Sequence, residues 1–119
     1  INVKESHADK GYQKMIVNSK AEDIVYTAAI SGVKANFLKA SLESMGIDEI
    51  QWSQSTKIDF GSELDAAKAE AKAWKTIWSA GQGVTSISDI PSVNELVTRL
   101  KQEFIKALEI QQQNLSIYK

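Results

Sequence analysis

The sequence predicts a mainly α-helical fold with two short strands. Three observations carry that expectation. Apolar residues recur at helical spacing in four separate stretches of the 119 residues. Helix start and stop signals flank most of those stretches. Runs of β-branched and aromatic residues occur in only two places, 23–31 and 84–88.

The elements follow in chain order. Ser6 is expected to open the first helix, with Asp9 three residues on as an imperfect capping box. Ala8, Tyr12, Met15 and Ile16 share one face, and the helix should end near Asn18. "DIVYTAAIS" (23–31) reads as a strand of about seven residues, broken by Ser31 and Gly32. A second helix is expected from about Lys34, with Ala35, Leu38, Leu42 and Met45 as its stripe and Gly46 as a left-handed stop. Residues 47–61 show no period and read as a long surface loop, pinned by Trp52 and Phe60.

Ser62 should start a third helix in which Leu64, Ala67, Ala71, Trp74 and Trp78 line one face. Small residues there would let a neighbour approach, while the tryptophans bury large areas. Lys68, Lys72 and Lys75 form a basic stripe beside it, read as a solvated face. Gly81 is expected to cap that helix and 84–88 to form the second strand. Pro91 lies just outside the last helix, which Ser92 and Glu95 open with a Ser-x-x-Glu capping box. Val93, Leu96, Leu100, Phe104 and Leu108 make its stripe, and the tail "QQQNLSIYK" either continues the helix or leaves the fold.

Composition narrows the function classes. Hydrophobic residues are 43% and charged residues 24%, ordinary for a globular domain. Fourteen basic residues against 15 acidic ones leave a net charge of -1. Lys and Arg are nowhere concentrated, which argues against a nucleic-acid partner. The apolar runs fall far short of the roughly 20 residues that a membrane span needs. No cysteine is present, so there is neither a disulfide nor a thiolate metal site. With no secretory signal visible, a cytoplasmic location is the expectation. The opening Ile-Asn-Val reads as the end of a strand already under way, a hint of a preceding part.

Residues that could carry chemistry are few. His7 is the single histidine and is expected to face solvent. Glu5, His7 and Asp9 could in principle hold a metal, a weak signal at that spacing. No nucleophile, base and acid stand in a recognisable order. Gly81-Gln82-Gly83 is a poor match to a phosphate-cradling loop, because it follows a helix instead of leading from strand to helix. A C-cap with a tight turn is its plainer reading.

The segment "KAWKTIWSAGQGVTSISDIPSVNELVTRL" (72–100) nevertheless resembles the C-terminal signature of the nitronate monooxygenases, formerly called 2-nitropropane dioxygenases. "KESHADKGYQKMIV" (4–17), "EDIVYTAAISGVKANFL" (22–38) and "FGSELDAAKAEAKAWK" (60–75) are similar to the same family in the same order. Three positions depart from its pattern: Lys34 where Pro or His is usual, Thr85 where a small residue is usual, and Ser31 for the commoner Thr.

The resemblance implies an FMN-dependent TIM-barrel enzyme that oxidises alkyl nitronates with dioxygen. Such a barrel takes about 250 residues, so this chain would be its C-terminal fragment. Residues 1–78 would be a small helical lid domain after the last barrel strand, and 79–119 the re-entry segment and final barrel helix. Ser79, Ala80, Gly81 and Gln82 would lie nearest the cofactor. The histidine base and flavin phosphate site would lie upstream, leaving the fragment inactive alone, without its own FMN, and prone to self-association. A flavin-dependent enoyl-acyl-carrier-protein reductase is similar in fold and is the enzymatic alternative. A free-standing helical interaction module, with 64–78 and 93–108 forming a partner groove, is the alternative from another class.

Overall fold

The computed structural model describes residues 1–59, 71 and 75–119. The expectations for Phe60, Leu64, Ala67, Lys68, Lys72 and Trp74 fall outside these residues. The chain divides into two compact units, one of residues 9–88 and one joining 1–8 to 89–119.

In the larger unit, α1 (Lys10–Asn18) starts three residues later than a cap at Ser6 would place it. Asp9 is itself the N-cap, its Oδ1 accepting the N–H groups of Gly11 and Tyr12 at 2.7 and 3.2 Å. A carboxylate is at least as good a cap as a hydroxyl, so Ser6 is left to bond Ala8 N–H in a local turn. A 3-10 turn at Ala21–Asp23 follows. Next come strands β1 (Ile24–Thr27) and β2 (Ala35–Leu38), paired antiparallel with Val25 opposite Phe37 and Ile24 opposite Leu38. β1 is shorter than expected because the Thr27 hydroxyl donates to Trp52 C=O and accepts from Ala29 N–H, turning the chain out of the ladder.

The hairpin corrects two expectations. Residues 35–38 are a strand, not the first turn of a helix, and 84–88 is not a strand. Four apolar-rich residues suit either period. Here Gly32, at φ 81°, reverses the chain and brings them beside β1. Residues Gln82–Ser86, with no strand partner in the two-stranded sheet, close a 3-10 turn instead.

α2 (Lys39–Ser44) leaves directly from β2. It stops in a Schellman motif: Gly46 N–H bonds Glu43 C=O and Ile47 N–H bonds Leu42 C=O, with Gly46 at φ 75°. Leu42 and Ile47 are both buried in one cluster, the apolar contact that accompanies this motif. α3 (Glu49–Trp52) interrupts the expected loop, opened by a reciprocal capping box of Asp48 and Gln51. Trp52 packs on the core, as expected.

Because side chains alternate along a strand, the hairpin has two apolar faces. Val25, Ala35 and Phe37 join Ile30, Leu42, Ile47 and Ile77 in one cluster. Ile24 and Leu38 join Ile16, Val84 and the partly buried Tyr12, Trp78, Ala80 and Ile87 in the other. Ala71 is exposed rather than packed, and helix gives way to irregular chain at Ile77. Trp78 therefore does not sit on a helix face.

In the smaller unit, α4 (Val93–Ile117) carries the Ser92 and Glu95 capping box and absorbs most of the glutamine-rich tail. The Glu5 carboxylate adds a second acceptor for its first turn, at 3.0 and 3.1 Å from Val93 N–H. Ile1–Val3 lies in a turn, not a strand. Asp89 grips Arg99 through two bonds of 3.0 and 2.7 Å, which holds its carboxyl below the usual range. Among the described residues no helix is long and apolar enough to cross a membrane.

Bonds from Ser92, first its backbone N–H at 2.6 Å, and then the Lys4 ammonium depress the Glu95 carboxyl from 4.5 to about 2. Depression means that its support for folding is complete above the ordinary value and disappears as pH falls through about 2. Carbon NMR titration of Glu95 should return a midpoint near 2, and a midpoint near 4.5 would show that the box is open in solution.

Candidate functional site

The site that the sequence singles out is a short irregular run after Trp78. Its geometry is set from below by Ser41, fully buried on α2. The Ser41 hydroxyl donates to Leu38 C=O at 2.8 Å and accepts Trp78 N–H at 3.1 Å. Leu38 N–H closes the ring by donating to Trp78 C=O at 2.9 Å. The backbone of Trp78 is thus bonded on both sides to the end of β2.

Tyr12 holds the next residue. Its ring stacks on Trp78 with centroids 5.1 Å apart and planes at 19°, within the range for favourable aromatic pairs. Its hydroxyl donates to Ser79 C=O. Burial pushes the phenol above its usual value, so it stays protonated, and a donor, across the neutral range.

The four predicted residues stay together but play different parts. Ser79 and Gln82 are exposed, and Ala80 is half-buried against the second cluster. Gly81 is extended at φ -99°, so it is not the left-handed helix stop that its position suggests. Its C=O accepts Val84 N–H and starts the 3-10 turn. Among the described residues, a Cβ at Gly81 or Gly83 would meet nothing within 4 Å. Space is therefore open over the two glycines, and the run can offer one wall to a flat ligand while enclosing none by itself.

Other features carry less. A groove of about 520 Å³ lies along α1 and α2, lined by Lys14, Asp23, Lys39 and Glu43 among others. Its two lysines are offset by two carboxylates, and Lys39 already faces Glu43 at 3.9 Å. His7 is exposed. Among the described residues no three His, Cys, Asp or Glu side chains gather as a metal site. Glu5 and Asp9 are instead spent on helix caps.

The three departures from the family pattern each have a local role. Thr85 Oγ1 accepts Ala21 N–H at 2.8 Å, Ser31 Oγ bonds both polar groups of Val33, and Lys34 Nζ lies 5.6 Å from the Tyr26 ring centre. Sequence reasoning missed Tyr12, Ser41 and Gly11 as supports of this run. Tyr12 is legible as a core-facing aromatic, but nothing in its neighbourhood announces a partner 67 residues away.

Comparison with curated proteins finds 30% identity over 109 residues with a nitronate monooxygenase of Paraburkholderia phytofirmans. The match covers 88% of this chain and 30% of that protein. The two are distantly and partially related, and this chain spans 30% of the relative's length. No protein-family model matches the chain. No solved structure matches it either.

Replacing Ser41 by Ala leaves Trp78 N–H without its acceptor, and an unsatisfied group of this kind costs about 1–3 kcal/mol. Urea unfolding followed by tryptophan fluorescence should show that loss. An unchanged midpoint would mean that the Ser41 ring does not hold Trp78.

Proposed function

We propose that the chain is the C-terminal part of an FMN-dependent nitronate monooxygenase, an oxidoreductase that oxidises alkyl nitronates with dioxygen. The observation that carries the reading is the likeness to the Paraburkholderia enzyme over 88% of the chain, a span that necessarily includes residues 79–82. In this reading residues 1–78 belong to a small domain over the barrel mouth, and 79–119 return to the barrel. The flavin supplies the redox chemistry, and the base and phosphate-binding groups belong to the remainder of the protein.

This chain contributes one wall. Ser79, Ala80, Gly81 and Gln82 would border the flavin or substrate, with the side-chain-free faces of Gly81 and Gly83 giving room for close approach. The 119 residues alone lack the base and would neither hold FMN nor turn over. Absent groups cannot be replaced by positioning.

α4 supports the same reading. Val93, Val97, Leu100, Phe104, Ile105 and Leu108 are all between 43% and 66% exposed. A helix with so long an apolar side normally rests on a core. In the longer protein that side would lie on the barrel, and in the isolated chain it would drive self-association.

Two measurements test the proposal. The longer protein carrying this segment should be yellow with bound FMN and consume oxygen when given an alkyl nitronate. A colourless protein without that activity would overturn the reading, and a yellow one that reduces enoyl thioesters with a nicotinamide cofactor would favour the reductase. Separately, the 119-residue chain should sediment as an oligomer, with Phe104→Glu shifting it to monomer. A monomeric parent chain would remove the support drawn from α4.

A further inference from the structure

We infer that Tyr12 is the positioning residue for the run 79–82, aiming the Ala80 N–H outward as a donor to a ligand oxygen. The inference rests on the proposed function only for the identity of that ligand, a nitronate or flavin oxygen. The positioning itself follows from geometry. A trans peptide unit is planar, with its C=O and N–H pointing in opposite directions. The Tyr12 hydroxyl holds the Ser79 C=O, so the N–H of the same unit, which belongs to Ala80, is turned away from Tyr12. That N–H finds no acceptor among the described residues.

The arrangement is built rather than incidental. Trp78, on which the Tyr12 ring lies, is fastened through its own backbone to Leu38 and Ser41. Gly11 makes room for it: a Cβ there would come 3.3 Å from Trp78 Cη2 and 2.9 Å from Asp9 Oδ1. Asp9 Oδ1 in turn accepts Tyr12 N–H and anchors the start of α1. Residues 9–12 thus combine a cap, a gap for the indole and a phenol aimed at one carbonyl. An exposed carbonyl has no need of that partner for satisfaction, because water would serve. What the phenol adds is direction.

The test is Tyr12→Phe, which keeps the ring and removes the hydroxyl, with circular dichroism to confirm the fold. In the 119-residue chain, nitrogen NMR relaxation should show order parameters for Ser79 and Ala80 falling from about 0.85 to below about 0.6, with Leu38 and Leu42 unchanged. Gly11→Ala, which retains the hydroxyl but crowds Trp78, should loosen the same residues and serves if the first variant does not fold. Unchanged order parameters in either folded variant overturn the inference. In the flavoprotein, Tyr12→Phe should raise KM for nitronate roughly fivefold, the factor expected of one ordinary hydrogen bond, with a smaller change in kcat. Equal KM and kcat in an active flavoprotein would also overturn it. A parent protein without flavin would defeat the proposed function while leaving the relaxation result to decide the positioning.

Discussion

The closed ring of hydrogen bonds among Leu38, Ser41 and Trp78 is the constraint on which the larger unit depends. It joins the end of β2 and the first turn of α2, which follow one another directly, to the chain emerging after Thr76, 37 positions further on. The ring is possible because Ser41, on a helix next to a strand end, can donate to one backbone carbonyl and accept a backbone N–H at once. Residues on either side of Trp78 then enter different clusters. Ile77 enters the one under α2, while Trp78 and Ala80 enter the one under α1. Without this junction the two faces of the hairpin would have no common support, and a lone two-stranded hairpin is marginal in water.

The junction also explains why the candidate site takes the form it does. A run that follows a fixed point can be irregular and still well placed. Trp78 is held by backbone bonds, Ser79 by a phenol, and Gly81 by the 3-10 turn that its own carbonyl begins. Between these anchors the chain leaves open space over two glycines. Under the proposed function, that combination of rigid support below and bare backbone above would suit one wall of a ligand site.

The smaller unit has another character. α4 is well capped at its start, where Glu5 accepts Val93 N–H, the Ser92 hydroxyl accepts Glu95 N–H and the Glu95 carboxylate accepts Ser92 N–H. Along its length Val97, Leu100, Phe104 and Leu108 stay between 43% and 66% exposed. Capping fixes where a helix begins, but burial of an apolar face supplies most of a helix's stability in a folded protein. A long helix with good caps and a bare apolar side is therefore complete as secondary structure and incomplete as packing.

Much of the local structure was legible in the residues, because its causes are local. The Ser92 capping box, the left-handed Gly46, the break at Ser31 and Gly32, and the helical faces of Tyr12, Met15 and Ile16 each follow from a few neighbouring side chains. Asp48 and Gln51 carried an equally local signal that a reading of 47–61 as loop passed over. What could not be read was pairing. Whether 35–38 is helix or strand depends on β1 lying beside it, and whether 84–88 is strand or 3-10 turn depends on no strand of the described residues lying there. Gly81 looked like a helix stop only while the preceding helix was assumed to reach it. Tyr12 and Ser79, 67 positions apart, meet because Trp78 is tied to Ser41, and no periodicity encodes that. The sequence by itself determined caps, turns and apolar faces through short-range sterics and hydrogen bonds. Only the tertiary structure decided strand partners and the support of residues 79–82, since both depend on contacts between segments that no local preference brings together.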